Sequence, residues 1–250
     1  MTKFLQLIDD HGLVLTRWCN AVNVMIEKDA GKPCINRLRI IHLFEADFIL
    51  FLKNLWGSRL VKRAIKHNLL NDGQHGSVPK RDTMDPIMLT QMTMDLCQMP
   101  KHTLAHFDND ASAGYDWIIP CLAMLAAKRC GMPDHAVNTH AKCLKFVKYV
   151  VKTVHGISKE NYMGTPFEPL FGNGQGSGAS PAVWLLLAVI LMNTLDCVIL
   201  QRMKFSSPDS STHHPCSIDA FVDDISLGFT DPGQLSFDDI IAQMQHIAQT

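Results

Sequence analysis

Hydrophobic positions alternate most sharply late in the chain. Ile218, Ala220 and Val222 take one side of an extended pleat, while Asp219, Phe221 and Asp223 take the other; Asp224-Ile225-Ser226-Leu227 continues beyond. A period of two predicts a β-hairpin with Asp223-Asp224 at its tight turn. Elsewhere the period lengthens. Leu55, Leu60, Ile65 and Leu69 interleave with Lys53, Arg59, Lys62, Arg63 and Lys66, the spacing of an amphipathic helix with a basic face. Thr83 to Met99 predicts a helix ended by Pro100. Residues 117–130 and 134–154 predict two more, broken at Gly131-Met132-Pro133, with Pro120 pushing the start of the first one later. The unbroken apolar run Ala182 to Met192 predicts a buried helix, at about half the length a membrane span needs. Phe237 to Gln249 predicts an amphipathic helix carrying Ile240, Ile241, Met244 and Ile247 on one face. Residues 1–30 read as a lead-in of mixed helix or strand, and Ser206 to Pro215 as a polar loop.

The hairpin raises a chemical question. Two adjacent carboxylates among apolar residues repel each other and are disfavoured by burial, and a divalent cation removes both objections. An Asp-rich surface turn is the plainer explanation, and it wins if the pair is taken alone. A second acidic segment changes the balance: His106-Phe107-Asp108-Asn109-Asp110 follows Leu104-Ala105, and Ala111 to Asp116 leads into the run from Trp117 to Cys130. Strand, carboxylates and then helix is a layout that presents acids at a strand end. Between the two acidic segments lies Gly172-Asn173-Gly174-Gln175-Gly176-Ser177-Gly178-Ala179-Ser180-Pro181. Alternate glycines let its backbone approach a ligand closely, Gln175 offers both donor and acceptor, and Pro181 suits the start of the next helix.

In this order the three segments resemble motifs A, B and C of the reverse transcriptase palm, of the retrotransposon type. Asp110 to Asp116 resembles the first metal-binding strand end with its aromatic residue five positions on, Gly174-Gln175-Gly176 with Ser180-Pro181 the template and nucleotide loop, and Phe221-Val222-Asp223-Asp224 the aromatic-x-Asp-Asp box. Arg37 to Leu43 resembles the fingers segment, and Gln74 to Asp85 the stretch leading into the first palm helix. The likeness runs from about Trp18 to the last residue.

The resemblance implies an α+β fold: a right-hand palm with an antiparallel sheet packed on helices, preceded by a helical fingers-like part. The implied domains are 1–82 (fingers-like) and 83–250 (palm, truncated, with the thumb absent). It implies an RNA-directed DNA polymerase that uses two Mg²⁺ ions, with Mn²⁺ as a substitute. The expected partners are an RNA template, a DNA or RNA primer and deoxynucleoside triphosphates, with no membrane. Asp110, Asp223 and Asp224 are the implied metal and catalytic residues, with Asp108 the rival to Asp110. Counting back five residues from Tyr115 favours Asp110. Tyr115 is implied to lie under the nucleotide sugar and to exclude a ribose 2′-hydroxyl, although a core aromatic at a strand-to-helix junction is an equal reading. Arg39 is the expected triphosphate contact, and Gln175 and Gly176 the expected contacts to template base or nucleotide. Asp116 reads as an acid favourable at a helix N-terminus. An RNA-dependent RNA polymerase is disfavoured by Tyr115 and by Val222 before the acid pair, and an inactive relic or interaction domain of the same fold is the other alternative.

Composition adds limits. With 250 residues, 47% of them apolar, the chain can bury one or two cores. A formal net charge of −1 does not favour nucleic acid, so local basic clusters would have to supply the attraction. Eight cysteines without C-x-x-C spacing predict reduced, buried thiols of an intracellular protein. His213-His214-Pro215-Cys216 lacks a second ligand pair and reads as loop.

Overall fold

In chain order the elements are α1 (Lys3–His11), β1 (Asn20–Glu27), β2 (Leu38–Leu43), α2 (Ala46–Leu52), α3 (Val61–Lys66), α4 (Met84–Gln98), β3 (Thr103–Asp110), α5 (Gly114–Trp117) and α6 (Pro120–Arg129). They continue as α7 (Asp134–Phe146), β4 (Lys148–Thr153), β5 (Gly156–Ile157), α8 (Ser180–Val198), β6 (Lys204–Ser206), β7 (His213–Pro215), β8 (Ile218–Phe221), β9 (Asp224–Asp231) and α9 (Phe237–Gln249). This computed structural model describes residues 3–32, 34–99, 101–111, 114–165, 170, 172–198, 204–206, 209, 211, 213–215, 218–231 and 235–249. The fold is α+β, with mainly antiparallel sheets packed on helices.

Two units form by packing: residues 1–69 with 113–184, and residues 70–112 with 185–250. The expected boundary at 82/83 falls inside the second unit. Each unit is built from two separated segments, which a linear reading does not reveal.

In the first unit the strands run β2-β1-β4-β5, with β1 antiparallel to β2 and parallel to β4. The helix expected over 134–154 stops at Phe146, and Lys148–Thr153 is strand β4. Tyr149, Val150, Val151 and Thr153 are β-branched or aromatic, and pairing Ala21 with Tyr149 and Val22 with Val150 overrides the helix-like lysine spacing. From Ala46 to Lys66 the chain is continuously helical, but Lys53–Leu60 between α2 and α3 is wound as a π-helix. Its buried face carries Leu55, Trp56 and Leu60, while Ile65 and Leu69 lie partly exposed. Trp18, Phe48, Phe51, Trp56 and His140 are fully buried. The Trp18 ring lies 5.0 Å from Phe48 and 5.2 Å from Phe51, and its Nε1 donates to Asp47 at 3.0 Å.

The second unit holds the sheet β3-β9-β8. Ile218, Ala220, Ile225 and Leu227 occupy one face with Phe107 against them, packed on Met192 and Leu195 of α8. Among the described residues α8 is the one helix long and apolar enough to cross a membrane by length and composition, but half of that stretch is buried within the protein. The predicted helices over 83–99 and 237–249 form as α4 and α9, with Ile240 buried and Ile241 exposed on the latter. The polar loop expected over 206–215 contains an unforeseen pairing, β6 with β7, in which Phe205 faces His214 in register. The described cysteines form no disulfide, but only Cys97 and Cys143 are buried; Cys34, Cys121 and Cys197 are exposed, contrary to the expectation of buried thiols. Cys216 lies outside the described residues.

Candidate active site

The sheet of the second unit turns its polar side away from the apolar cluster, and the pairing fixes what that side displays. Asp110 lies opposite Asp224, Asp108 opposite Ser226, and Asp219 also opposite Ser226. Residues paired across strands share a face, so Asp108, Asp110, Asp219, Ser226 and Asp224 fall on one side. Val222-Asp223 forms the two-residue turn between Phe221 and Asp224, which are themselves paired. The backbone at position 111 joins this end of the sheet, because the Ala111 N–H donates to the Asp223 carbonyl at 3.2 Å. Asp110, Asp223 and Asp224 are thereby gathered at one end of three adjacent strands.

Asp108 is differently employed. Its Oδ1 accepts from the Ser226 hydroxyl at 2.6 Å and sits 2.9 Å from His106 Nε2. Burial, followed by the charges of Asp223, Asp110 and Asp108, raises the pKa of Asp224 above the usual carboxylate value. That mutual repulsion is what a cation would relieve. Hard carboxylate oxygens are the donors Mg²⁺ prefers, so the residues present suit the metal that the resemblance implies. Among the described residues, no three His, Cys, Asp or Glu side chains already converge to ligating distance.

The turn is held by a segment that sequence reasoning did not single out for this role. Gly73 to Gly76 runs along β8: the Ala220 N–H donates to the Gly73 carbonyl at 2.9 Å, and the His75 N–H donates to the Ala220 carbonyl at 2.8 Å. Beneath the polar face His75 Nε2 lies 3.0 Å from Asp219 Oδ1, and both residues are buried. Arg81 ties the same loop by donating to the carbonyls of Asp72 (2.5 Å) and Gln74 (2.7 Å). Val222 adopts φ +59°, a left-handed value that is costly for a β-branched residue, and such strain persists only where surroundings impose it. Gly76 packs directly against this turn: a Cβ there would overlap the Val222 backbone nitrogen. Gly76→Ala is therefore expected to destabilise the protein by about 2 kcal/mol, since the obstructing atom is backbone. Urea denaturation measures this; an unchanged midpoint contradicts the close packing.

The remaining predicted site residues belong to the first unit. Gln175 and Gly176 lie in the glycine loop, which is fastened to β2 where the His42 N–H donates to the Gln175 carbonyl at 2.6 Å. A Cβ on Gly176 would strike the His42 carbonyl oxygen, so glycine is required by close approach as well as by φ +107°. The loop is anchored again where the Asn173 N–H donates to the Tyr115 carbonyl at 3.1 Å and the Gly172 N–H to the Ile118 carbonyl at 2.7 Å. Ser180 Oγ closes it by donating to the Gly174 carbonyl at 2.7 Å. Tyr115 is half-buried, its ring 5.7 Å from Trp184. Asp116 lies in the first turn of α5, and burial raises its pKa against the opposing charge of Lys28. Arg39 is exposed on β2, whereas Arg37 pairs with Asp29 at 3.2 Å. Ser112 and Ala113 of the first motif lie outside the described residues.

No protein-family model matches the chain, and no curated protein matches it. Solved structures do. The chain is similar to the apo telomerase of Candida tropicalis truncated from the C-terminal domain, with TM-score 0.55 and 12% identity, covering 95% of this chain and 48% of that one. It is likewise similar to the telomerase of Candida albicans in complex with a TWJ fragment of telomeric RNA, with TM-score 0.55 and 12% identity, covering 100% of this chain and 42% of that one. The chain thus spans less than half the length of either telomerase chain. At this identity the likeness is one of fold.

Proposed function

We propose that the chain is the fingers–palm part of an RNA-directed DNA polymerase of the retrotransposon type, adding deoxynucleotides to a primer. The observation that carries this reading is the register of β3, β9 and β8, which sets Asp110 opposite Asp224 and Asp223 in the adjoining turn. The fold shared with telomerase supports it, as does the RNA held by one of those telomerase structures.

Asp110 and Asp223 would hold two Mg²⁺ ions, with Asp224 as a supporting ligand. When bound, such a pair supplies stabilisation of the charge that builds on the attacking and leaving oxygens of a phosphoryl transfer. The hairpin turn, fixed by Gly73 to Gly76, keeps the Asp223 and Asp224 carboxylates at one end of the sheet. In this reading Tyr115 backs the sugar and disfavours a 2′-hydroxyl, its ring braced by Trp184. Gln175, in a loop whose backbone is held by the His42 N–H, would offer its side chain to template or nucleotide. Arg39, exposed on β2, contributes positive charge toward a triphosphate.

Primer extension by the purified chain on an RNA template tests the reading. Extension with deoxynucleotides in Mg²⁺, and much weaker extension with ribonucleotides, is the expected result. Preference for ribonucleotides would assign the chain to RNA synthesis, and no extension with either would favour a fold that has lost turnover.

A further inference from the structure

A cavity of about 150 Å³ opens in the first unit, lined by none of the residues assigned above. Asp9 of α1, Arg59 of the π-helical stretch and Arg63 of α3 supply its polar groups, and Leu55, Leu60 and Met132 supply apolar wall. Asp9 is only 5% exposed, and its Oδ1 has no hydrogen-bond donor. Its neighbours reach ion-pair distance without giving Oδ1 a hydrogen bond: Arg59 Nη1 is 3.7 Å from Oδ2, and His135 Nε2 is 3.4 Å from Oδ1. Burial pushes the Asp9 carboxyl up, against the opposing charges of His135 and Arg59. A buried acceptor left without a donor is costly and calls for an explanation.

Arg63 is fixed in the wall. Its Nε donates to the Cys130 carbonyl at 3.1 Å, and its guanidinium packs on Gly131, where any Cβ would collide with it. Gly131 has φ +87°, a left-handed value that favours glycine. The π-helical winding at Lys53–Leu60 is a costly irregularity of a kind that recurs at functional sites. Arg59 and Arg63 are exposed, so the cavity is open to solvent along them.

The polar groups select a ligand by charge and hydrogen bonding. A plain anion is repelled by Asp9, and a plain cation by the two arginines. The occupant has to give hydrogen bonds to a carboxylate and accept them from guanidiniums, on a body flat and apolar enough for leucine and methionine walls. A guanine-type base has this pattern: N–H donors on its pairing edge, O6 and N7 acceptors beside them, and two apolar faces. A cavity of this size takes one aromatic ring, and the open side accommodates the remainder. We propose that the cavity binds a guanine-type base, Asp9 accepting from its pairing edge and Arg59 and Arg63 donating to its acceptor edge.

Equilibrium dialysis of the whole chain against guanosine and adenosine 5′-monophosphates, in EDTA to silence any metal site, tests this. Guanosine monophosphate is expected to bind about tenfold or more tightly than adenosine monophosphate, because adenine has an acceptor at N1, no second N–H beside it for Asp9, and a donor where guanine offers O6 to the arginines. Asp9→Asn should remove that preference, and Arg59→Ala, an exposed position that spares the core, should weaken binding. Asp224→Asn should leave binding unchanged, which separates this site from the polymerase reading. Equal binding of the two nucleotides, competition by inorganic phosphate alone, no binding, or unaltered affinity in Arg59→Ala would each overturn the proposal.

Discussion

Replacing Asp224 by Asn is expected to lower primer extension about 10³-fold while raising, not lowering, resistance to urea. The loss follows from several kcal/mol of transition-state charge stabilisation that a two-metal site supplies, at 1.36 kcal/mol per factor of ten. The gain in stability follows from the Asp224 environment: Asp223, Asp110 and Asp108 all oppose its charge, and an amide there ends the repulsion. Activity and stability moving in opposite directions is the signature of a strained functional site, since a residue that serves the fold alone would lose both. Asp108→Ala provides the contrast. Unlike Asp108→Asn, whose amide oxygen can still accept, the Asp108→Ala variant removes the acceptor bonded to Ser226 and His106, so it should cost stability and weaken extension far less. Extension rates and urea midpoints of the two variants decide the matter together.

Acidification is expected to weaken the first unit steeply between pH 6.5 and 4.5. His140 is fully buried between Phe48 and Trp56, neither ring nitrogen has a partner, and burial pushes its pKa down to about 3. His42, packed against Phe44 and Tyr149, is lowered to about 4 by burial, against the opposing effect of its backbone bond to Gln175. Both folded-state values lie below the unfolded value of 6.5. The unfolded chain therefore takes up protons first, and stability complete above that value falls as the pH drops toward the folded ones. Each histidine withdraws about 1.4 kcal/mol per pH unit, so the pair removes about 5 kcal/mol over this window, a large share of an ordinary domain's stability. Asp9 and Asp116 act with the opposite sign, because burial raises their pKa values. His140→Leu isolates one contribution. It should be neutral or stabilising at pH 7.5 and should remove about half of the acid slope, as read from urea denaturation at stepped pH. A slope unchanged by His140→Leu would show that this histidine is not held neutral.

Much of the second unit was legible because its sheet buries a single face. Alternation around Ile218 and Ala220 marks that face directly, and a register slip would expose every residue on it. The strand leading to Asp110 and the helix after the glycine loop were readable for similar reasons, from turn chemistry and apolar runs. What escaped reading depended on partners distant in sequence. His75 looks like a loop histidine until Asp219 is placed 3.0 Å away, and nothing local says that Gly73 to Gly76 borders β8. The strand Lys148–Thr153 was concealed because Lys142, Lys145, Lys148 and Lys152 suggest a helix face; its identity rests on parallel pairing with β1. Counting from Tyr115 selected Asp110 over Asp108, and the register gives Asp110 the place opposite Asp224. Its role as a ligand is a chemical matter, open to titration.

Binding of Mn²⁺, followed by electron paramagnetic resonance of the free ion, addresses that matter most directly. The wild-type chain is expected to bind the ion weakly. Asp223→Asn and Asp110→Asn should abolish binding, while Asp209→Asn, in an exposed turn bonded to Ser211, should leave it intact. Equal Mn²⁺ affinity in Asp223→Asn and Asp209→Asn would contradict the assignment of the hairpin acids as a metal site.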